Sequence, residues 1–472
     1  MSAGLLAARE ALAGRDAWLV GGAVRDELLG RTSADFDIVV ADDPKLAAKA
    51  VARAAGRAAC FALSEEFGSW RVVDRSGAWQ VDVEPLRGES LNEDLGLRDF
   101  TVNAIAQPIE GGAPIDPLGG ERDLRSGSLR MAGPASFELD PLRVLRMVRI
   151  AIELGLEPEA NTRSCAQGQA GRLSEISGER VFMELRRIIA TPKPRSGIEM
   201  LSQLGAAAVV LPEIEALRGV EQNHFHHLDV YGHTLEVLDR TIELSSPNTP
   251  GLEETADALG DHIEQVGKLL NEPLADELTR GEGLRWGALL HDAAKPLTHE
   301  IRPNGRVTFI GHDRRGAELA REVLGRMRAS ERLRTHVAGL VRHHLDLGFL
   351  VHEPQPLARR AVYGYLKACS PLEVDVTLLS IADRLATRGV GAHEAIAKHL
   401  RLAQTLLGEA LSWRAQGALT PLLRGDELAR ELGIVAGPRL GELLEAIAEA
   451  RFAREVSTPE QALEHARGLQ RG

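Results

Sequence analysis

The chain of 472 residues predicts an α+β head of roughly 135 residues followed by an all-helical remainder. Three observations predict this. Short β-rich runs with period-two alternation concentrate before residue 135. From about residue 136 onward nearly every segment has helical period. Gly-Pro at 133–134 and Pro192 and Pro194 punctuate helices rather than strands. The shifts divide the chain into a head (1–135), a helical neck (136–218), a third region (219–404) and a helical tail (405–472). No internal repeat is present.

Composition narrows the function classes. Hydrophobic content is 44% and charged content 26%, ordinary for a globular protein. Aromatics make up 4%, too few for base stacking to dominate recognition. Cys60, Cys165 and Cys369 are scattered, which argues against a disulfide framework or zinc ribbon and fits a reducing cytosol. No apolar run reaches the length of a membrane span. Arg9, Glu10 and Arg15 do not suit a signal peptide, so a cytoplasmic location is expected. The net charge is −12, yet Arg143, Arg146 and Arg149, then Arg180, Arg186, Arg187, Lys193 and Arg195, cluster in the neck. Local clustering of this kind outweighs net charge as a sign of nucleic-acid binding. No membrane or DNA partner is expected.

In order along the chain, 18–20 reads as an apolar strand running into Gly21-Gly22 and a helix start with Arg25 and Asp26. Glycines let a phosphate approach the backbone, and a helix N-terminus offers free N–H groups. A second strand carries Asp35 and Asp37, whose spacing of two puts both carboxylates on one face. Such a pair can share Mg²⁺, an ion that prefers oxygen ligands and leaves room for substrate phosphates. The combination suits nucleotidyl transfer from a triphosphate. VVADDPKLAAKAVARAAG is a strand end, a Pro-started helix and a glycine stop. RVVDR and WQVDVEP pair around Gly77 and bring Asp82 onto a strand as a third carboxylate. RDFTVNAIA supplies Arg98, Asp99 and Asn103, polar groups suited to a ribose and triphosphate, or to ordinary helix capping. Asp140-Pro-Leu-Arg143 opens a strong helix, with Pro141 at N1, Asp140 at the N-cap or just before it, and the two charges on one face. The carboxylate accepts from the amino group of cytosine or adenine and the guanidinium donates to the adjacent ring nitrogen, whereas uracil and guanine present the wrong pattern.

Further on, residues 244–280 are polar and acidic and read as an exposed insertion with one helix. His233, His291-Asp292 and Asp383 are nitrogen and oxygen ligands on three predicted helices, a set suited to a metal-dependent phosphohydrolase. His312, His343 and His344 are candidates for a second metal or a substrate phosphate, and Lys295 for a leaving phosphate. Residues 425–450 join two helices through a Gly-Pro turn, where Gly437 and Gly441 could meet a phosphate.

GGAVRD with DFD, RDFTVNA, DPLRVLRMVR and GERVFMEL together resemble the class II tRNA nucleotidyltransferase and poly(A) polymerase family. The H…HD…D set, with HFHHLDVYGHTL, resembles the HD superfamily and HD-bearing members of that family. The resemblance implies a polymerase-beta-like head with a mixed sheet, followed by helical neck, HD and tail domains. It implies Mg²⁺ on Asp35 and Asp37 with Asp82 beside them, and tRNA, CTP and ATP as partners. It places Gly21, Gly22, Arg25, Asp26, Arg98, Asp99, Asn103, Asp140, Arg143, Arg146 and Arg149 with the nucleotide. It implies a transition metal or Mg²⁺ on His233, His291, Asp292 and Asp383, and a tail that holds the tRNA elbow. The expected activity is template-independent addition of C and A to tRNA 3′ ends. One departure favours an enzyme that adds only the two C residues. Almost nothing lies between Arg87 and Leu91, where CCA-adding members carry a flexible loop, and Leu97 stands where many have a second arginine. The same head motifs would also serve a poly(A) polymerase. A chiefly hydrolytic HD protein would use the head only to bind RNA.

Overall fold

A computed structural model describes residues 2–64, 68–222, 227–247, 249–388, 393–417 and 420–471. The chain folds as two compact units, residues 1–188 with 199–210, and residues 189–198 with 211–472.

In the first unit, β1 (Ala17–Val20), β2 (Asp35–Val40), β3 (Ala59–Ser64), β4 (Ser69–Val73), β5 (Gln80–Pro85) and β6 (Ala106–Pro108) form a mixed sheet of order β3-β4-β5-β2-β1-β6. The β2–β5 pairing is parallel and the others are antiparallel. In β2, Phe36 and Ile38 go into the core while Asp35 and Asp37 face out, so the two acids do share a face. The parallel register sets Asp37 directly beside Asp82. The expected Pro-started helix is Pro44–Ala54, capped by Asp43, whose Oδ1 accepts from the Lys45 N–H at 2.8 Å. It packs with Val72, Val81 and Val83 in one core.

The strong helix begins later than the sequence suggests. It spans Arg143–Leu154 with Leu142 as N-cap, and Asp140 precedes it in extended backbone. Asp140 and Arg143 therefore do not share a helix face as expected. Asp140 Oδ1 accepts from the Leu142 N–H at 3.1 Å and caps the entry from just before the helix, as the sequence suggests. Arg149 is also not where the sequence reading puts it. Arg143 and Arg149 are six residues apart, which turns the side chain about 120° around the axis. Arg149 is buried, with Nε 2.5 Å from Glu184 Oε2 and Nη1 2.8 Å from Glu153 Oε2.

Among its described residues the second unit is helical apart from two small hairpins, Pro273–Ala275 with Leu278–Thr279 and Glu300–Ile301 with Val307–Thr308. Residues 244–280 are not an exposed insertion with one helix. They hold two α-helices, Glu253–Leu259 and Ile263–Leu270, whose Leu259, Val266, Leu269 and Leu270 enter the main core of the unit. Acidic residues occupy the outer face and hide this apolar stripe in any local average. The 404/405 boundary falls inside one continuous helix, His393–Gln416. Beyond it, Gly425–Leu432, Pro438–Phe452 and Pro459–Arg471 share a small core of their own, with the anticipated Gly-Pro turn between the first two.

Arg149→Met leaves Glu184 buried without its closest partner and is expected to cost about 3 kcal/mol. The double variant Arg149→Met/Glu184→Leu is expected to recover most of that loss in urea unfolding.

Candidate functional site

The Asp37 end of one face of the head sheet borders a cleft of about 320 Å³. Its floor includes the Gly21-Gly22 turn and Asp37. Gly21 has φ +74°, and a Cβ there would lie 3.2 Å from Asp37 Oδ2 and 3.4 Å from Arg98 Nη1. The turn therefore needs glycine for both its conformation and its closeness to the acid. Asp37 keeps an exposed edge in the cleft. Its carboxyl is pushed up to about 6, chiefly by desolvation, with Asp82 and Glu84 adding to the rise and Arg98 opposing it. Asp35 sits on the same face but outside the cleft lining, and Asp82 has both oxygens held by Arg71 at 2.7 Å each. The crowded, all-oxygen donors Asp35, Asp37 and Asp82 fit a hard divalent ion, provided Arg71 lets Asp82 go.

One wall is a network centred on Asp99. Arg146 donates to Asp99 Oδ2 through Nε at 2.9 Å and Nη2 at 2.7 Å, and Asn103 Nδ2 donates to Oδ1 at 3.0 Å. Burial alone would raise the Asp99 carboxyl, but Arg146, Asn103 and the Phe100 N–H hold it well below the usual range. Asn103 Oδ1 in turn accepts from Arg25 Nη1 at 2.6 Å, and Arg25 is bound to Asp26. Arg25 and Asp26 thus stand behind the cleft rather than lining it. Arg149 does not line it either.

The facing wall carries Asp140 and Arg143. Arg143 is clamped by backbone: it donates to Arg98 O at 3.0 Å and Leu97 O at 2.8 Å, and to Ser136 Oγ at 2.9 Å. Asp140 Oδ2 accepts from Arg180 Nη2 at 2.8 Å. Arg180, Glu84 and Arg87 also line the cleft and were not among the expected nucleotide contacts. Glu84 was legible, because it lies two residues after Asp82 on the same strand face. Arg180 had no local signal beyond its place in the GERVFMEL motif.

The second unit has its own cluster. His233, His291 and Asp383 bring their ligand atoms together, as do Asp292, His312 and His344. His233 Nε2 lies 2.9 Å from Asp383 Oδ1, and His291 Nε2 lies 3.1 Å from Asp292 Oδ2. His291, His312 and His344 each approach a carbonyl through Nδ1, those of Ala288, Phe309 and Val341, at 2.7, 2.7 and 2.6 Å. This leaves each Nε2 turned to the centre, the arrangement that prepares an imidazole for a metal. His291 Nε2 and Asp292 Oδ2 are buried without a well-aligned hydrogen-bond partner, so the residues fit a metal. Burial, with His291 and His312 nearby, pushes His344 down to about 4 and keeps it neutral. Lys295 Nζ reaches Asp292 Oδ2 at 2.7 Å. His343 does not join: adjacent helical residues point about 100° apart, and its Nδ1 lies 2.7 Å from Asp346 Oδ2. Residues 223–226, part of the HFHHLDVYGHTL stretch, lie outside the described residues. Among the described residues no helix is long and apolar enough to cross a membrane.

A sheet with glycine turn and acidic strands, joined to an HD-type ligand cluster, defines a nucleotidyltransferase carrying an HD domain. Residues 17–130 match the Poly A polymerase head domain, 155–217 the probable RNA and SrmB-binding site of polymerase A, and 259–388 the HD domain. The chain is 39% identical over 450 residues to the A-adding tRNA nucleotidyltransferase of Deinococcus radiodurans, covering 94% of this chain and 93% of that one. It is 35% identical over 457 residues to the CC-adding tRNA nucleotidyltransferase of Thermus thermophilus, covering 95% and 92%. The fold matches a CCA-adding enzyme solved with ATP at a TM-score of 0.62 and 21% identity, covering 99% of this chain and 94% of that one. The chain belongs to the tRNA nucleotidyltransferase family.

Because the Asp37 carboxyl is raised, its charge opposes folding fully above pH 6, and the penalty fades as pH falls toward about 4. Asp37→Asn is therefore expected to raise the melting temperature of the metal-free protein at pH 8, with the gain vanishing near pH 4. Added Mg²⁺ should stabilise the parent and not the variant, read by scanning calorimetry.

Proposed function

We propose that the head extends tRNA 3′ ends with C and A from CTP and ATP, with protein side chains in place of a template. The observation that carries this reading is one cleft holding the Asp37 carboxylate, the glycine turn and the Asp140 and Arg143 side chains. The RNA 3′-hydroxyl attacks the α-phosphorus in line. A new P–O bond forms as the bond to pyrophosphate breaks, and the hydroxyl proton passes to a carboxylate on the Asp82 side. Asp35, Asp37 and Asp82 hold Mg²⁺, which when bound neutralises the charge developing on the phosphate oxygens. Gly21, Gly22 and Arg98 cradle the phosphates, while Arg25, Asp26 and Asn103 orient the ribose side through Asp99 and Arg146. Asp140 and Arg143 read the base once Arg180 and the carbonyl clamp yield to it. The enzyme acts in the cytoplasm, on the shape of the acceptor arm.

A C-only reading is favoured by one observation. The link between β5 and helix Leu91–Gly96 is only residues 86–90. It is drawn tight by the Arg87 N–H on Asp94 Oδ1 at 3.0 Å and the Glu89 N–H on Glu93 Oε2 at 2.7 Å. Little slack is left in the cleft wall for a change from C to A recognition.

We further propose that the HD cluster hydrolyses phosphate esters. His233, His291, Asp292, His312, His344 and Asp383 hold a divalent metal that when bound supplies an activated water. Lys295 meets the phosphate.

Purified protein is offered tRNA lacking its last three, two or one nucleotides, with CTP and ATP supplied separately. The leading reading expects C, C and then A. Arrest after two C residues selects the C-only enzyme, and an A ladder on generic RNA overturns both. Asp37→Ala is expected to lower C incorporation on the order of a thousandfold, the several kcal/mol of a lost metal site. His291→Ala is expected to abolish metal-stimulated phosphate-ester hydrolysis while C addition continues.

A further inference from the structure

His343 turns away from the HD cluster, and the place it turns to holds a separate set of donors. His343 ends helix Glu331–His343, Asp346 opens helix Asp346–Leu350, and Cys369 ends helix Arg359–Cys369. A ring nitrogen of His343, a carboxylate oxygen of Asp346 and the free Cys369 Sγ all lie within 4.8 Å of one another. None of them belongs to either ligand group of the HD cluster. Donors about 2.0–2.3 Å from a tetrahedral ion stand on the order of 3.5 Å apart. Small side-chain movements therefore bring these atoms onto one ion.

The set has a buried floor and an open rim. Cys369 is 2% exposed, whereas the His343 and Asp346 side chains are 24% and 27% exposed. Asp346 also lines an open cavity of about 830 Å³, which gives an ion a path in and leaves room for a water beside it. The surroundings favour a cation. Burial, with Asp346 and Glu373 nearby, pushes the Cys369 thiol up, and Glu373 Oε2 is buried without a hydrogen-bond partner. One thiolate and one carboxylate offset a dication, and a mixed sulfur, oxygen and nitrogen set suits zinc rather than Mg²⁺. We propose that His343, Asp346 and Cys369 bind Zn²⁺ at a site separate from the HD cluster, with water as the fourth ligand. Binding releases the thiol proton to solvent and exchanges the 2.7 Å contact of His343 Nδ1 with Asp346 for bonds to the metal. The ion clasps the ends of three helices, and the HD ligand His344 directly follows one of them.

Two measurements on the reduced full chain test this. In the first, Co²⁺ replaces zinc as a spectroscopic probe. It is expected to give a near-ultraviolet thiolate-to-cobalt band that survives His291→Ala/Asp292→Ala, which breaks the HD cluster. The band is expected to vanish in Cys369→Ala and in His343→Gln. His343 is half-exposed, so its substitution keeps the test readable even if Cys369→Ala fails to fold. The second is zinc binding by equilibrium dialysis in the His291→Ala/Asp292→Ala protein. Adding His343→Gln or Asp346→Asn is expected to weaken it by at least about a hundredfold, more than an outer-shell partner is worth. The zinc-dependent rise in melting temperature should shrink in step. A parent without the thiolate band, a band unchanged by Cys369→Ala or His343→Gln, or zinc affinity equal in all these proteins overturns the proposal.

Discussion

The parallel register between β2 and β5 is the constraint on which the head depends. It sets Asp37 against Asp82 on the sheet face that borders the cleft, beside a small core in which Val20 and Val39 of the same face are buried. The repulsion is tolerated because Arg71 takes Asp82 in a two-pronged grip and Arg98 stands over Asp37. A slip of β2 by a single residue would turn Asp35 and Asp37 into the core, where Phe36 and Ile38 now sit. The sheet thus holds like charges together against its own stability, and a cation is the natural relief.

Around this pair the head uses its buried charges to fix geometry. Asp99 is filled by protein donors from Arg146, Asn103 and Phe100. It works as the keystone between the strand region and helix Arg143–Leu154. Behind it, Glu184 ties Arg149 into the same frame. On the facing wall of the cleft the partners are exchangeable. Asp140 is held by the half-exposed Arg180, and Arg143 by carbonyl oxygens. A base of the wrong pattern would release those partners without replacing them, which leaves polar groups unpaired.

Much of this was legible in the chain, for physical reasons. Period-two alternation exposed the strands and put Asp35 and Asp37 on one face. Gly21 was legible because a turn at positive φ beside an acid tolerates little else. The HD ligands were legible as types, since His291-Asp292 ends an apolar run. What failed was rotation and pairing. Arg149 follows Arg143 and Arg146 in sequence, yet helical twist carries it to the buried side. His343 adjoins His344 but turns to Asp346. The amphipathic pattern of 244–280 was masked by its acidic outer face. Arg71 and Arg180 act through partners 11 and 40 residues away, a distance no local pattern encodes.

The helix His393–Gln416 runs unbroken for 24 residues from the HD region toward the tail. Its Leu402, Ala403, Leu406 and Leu407 belong to the same apolar cluster as Leu378 and Ile381 of the helix that bears Asp383. A cut at residue 404 would therefore remove Leu406, Leu407 and Ala410 from the cluster that packs the Asp383 helix. The tail is therefore no free cassette: Phe452 of helix Pro438–Phe452 also lies against Tyr363 and Trp413, so the joint is shared by both sides.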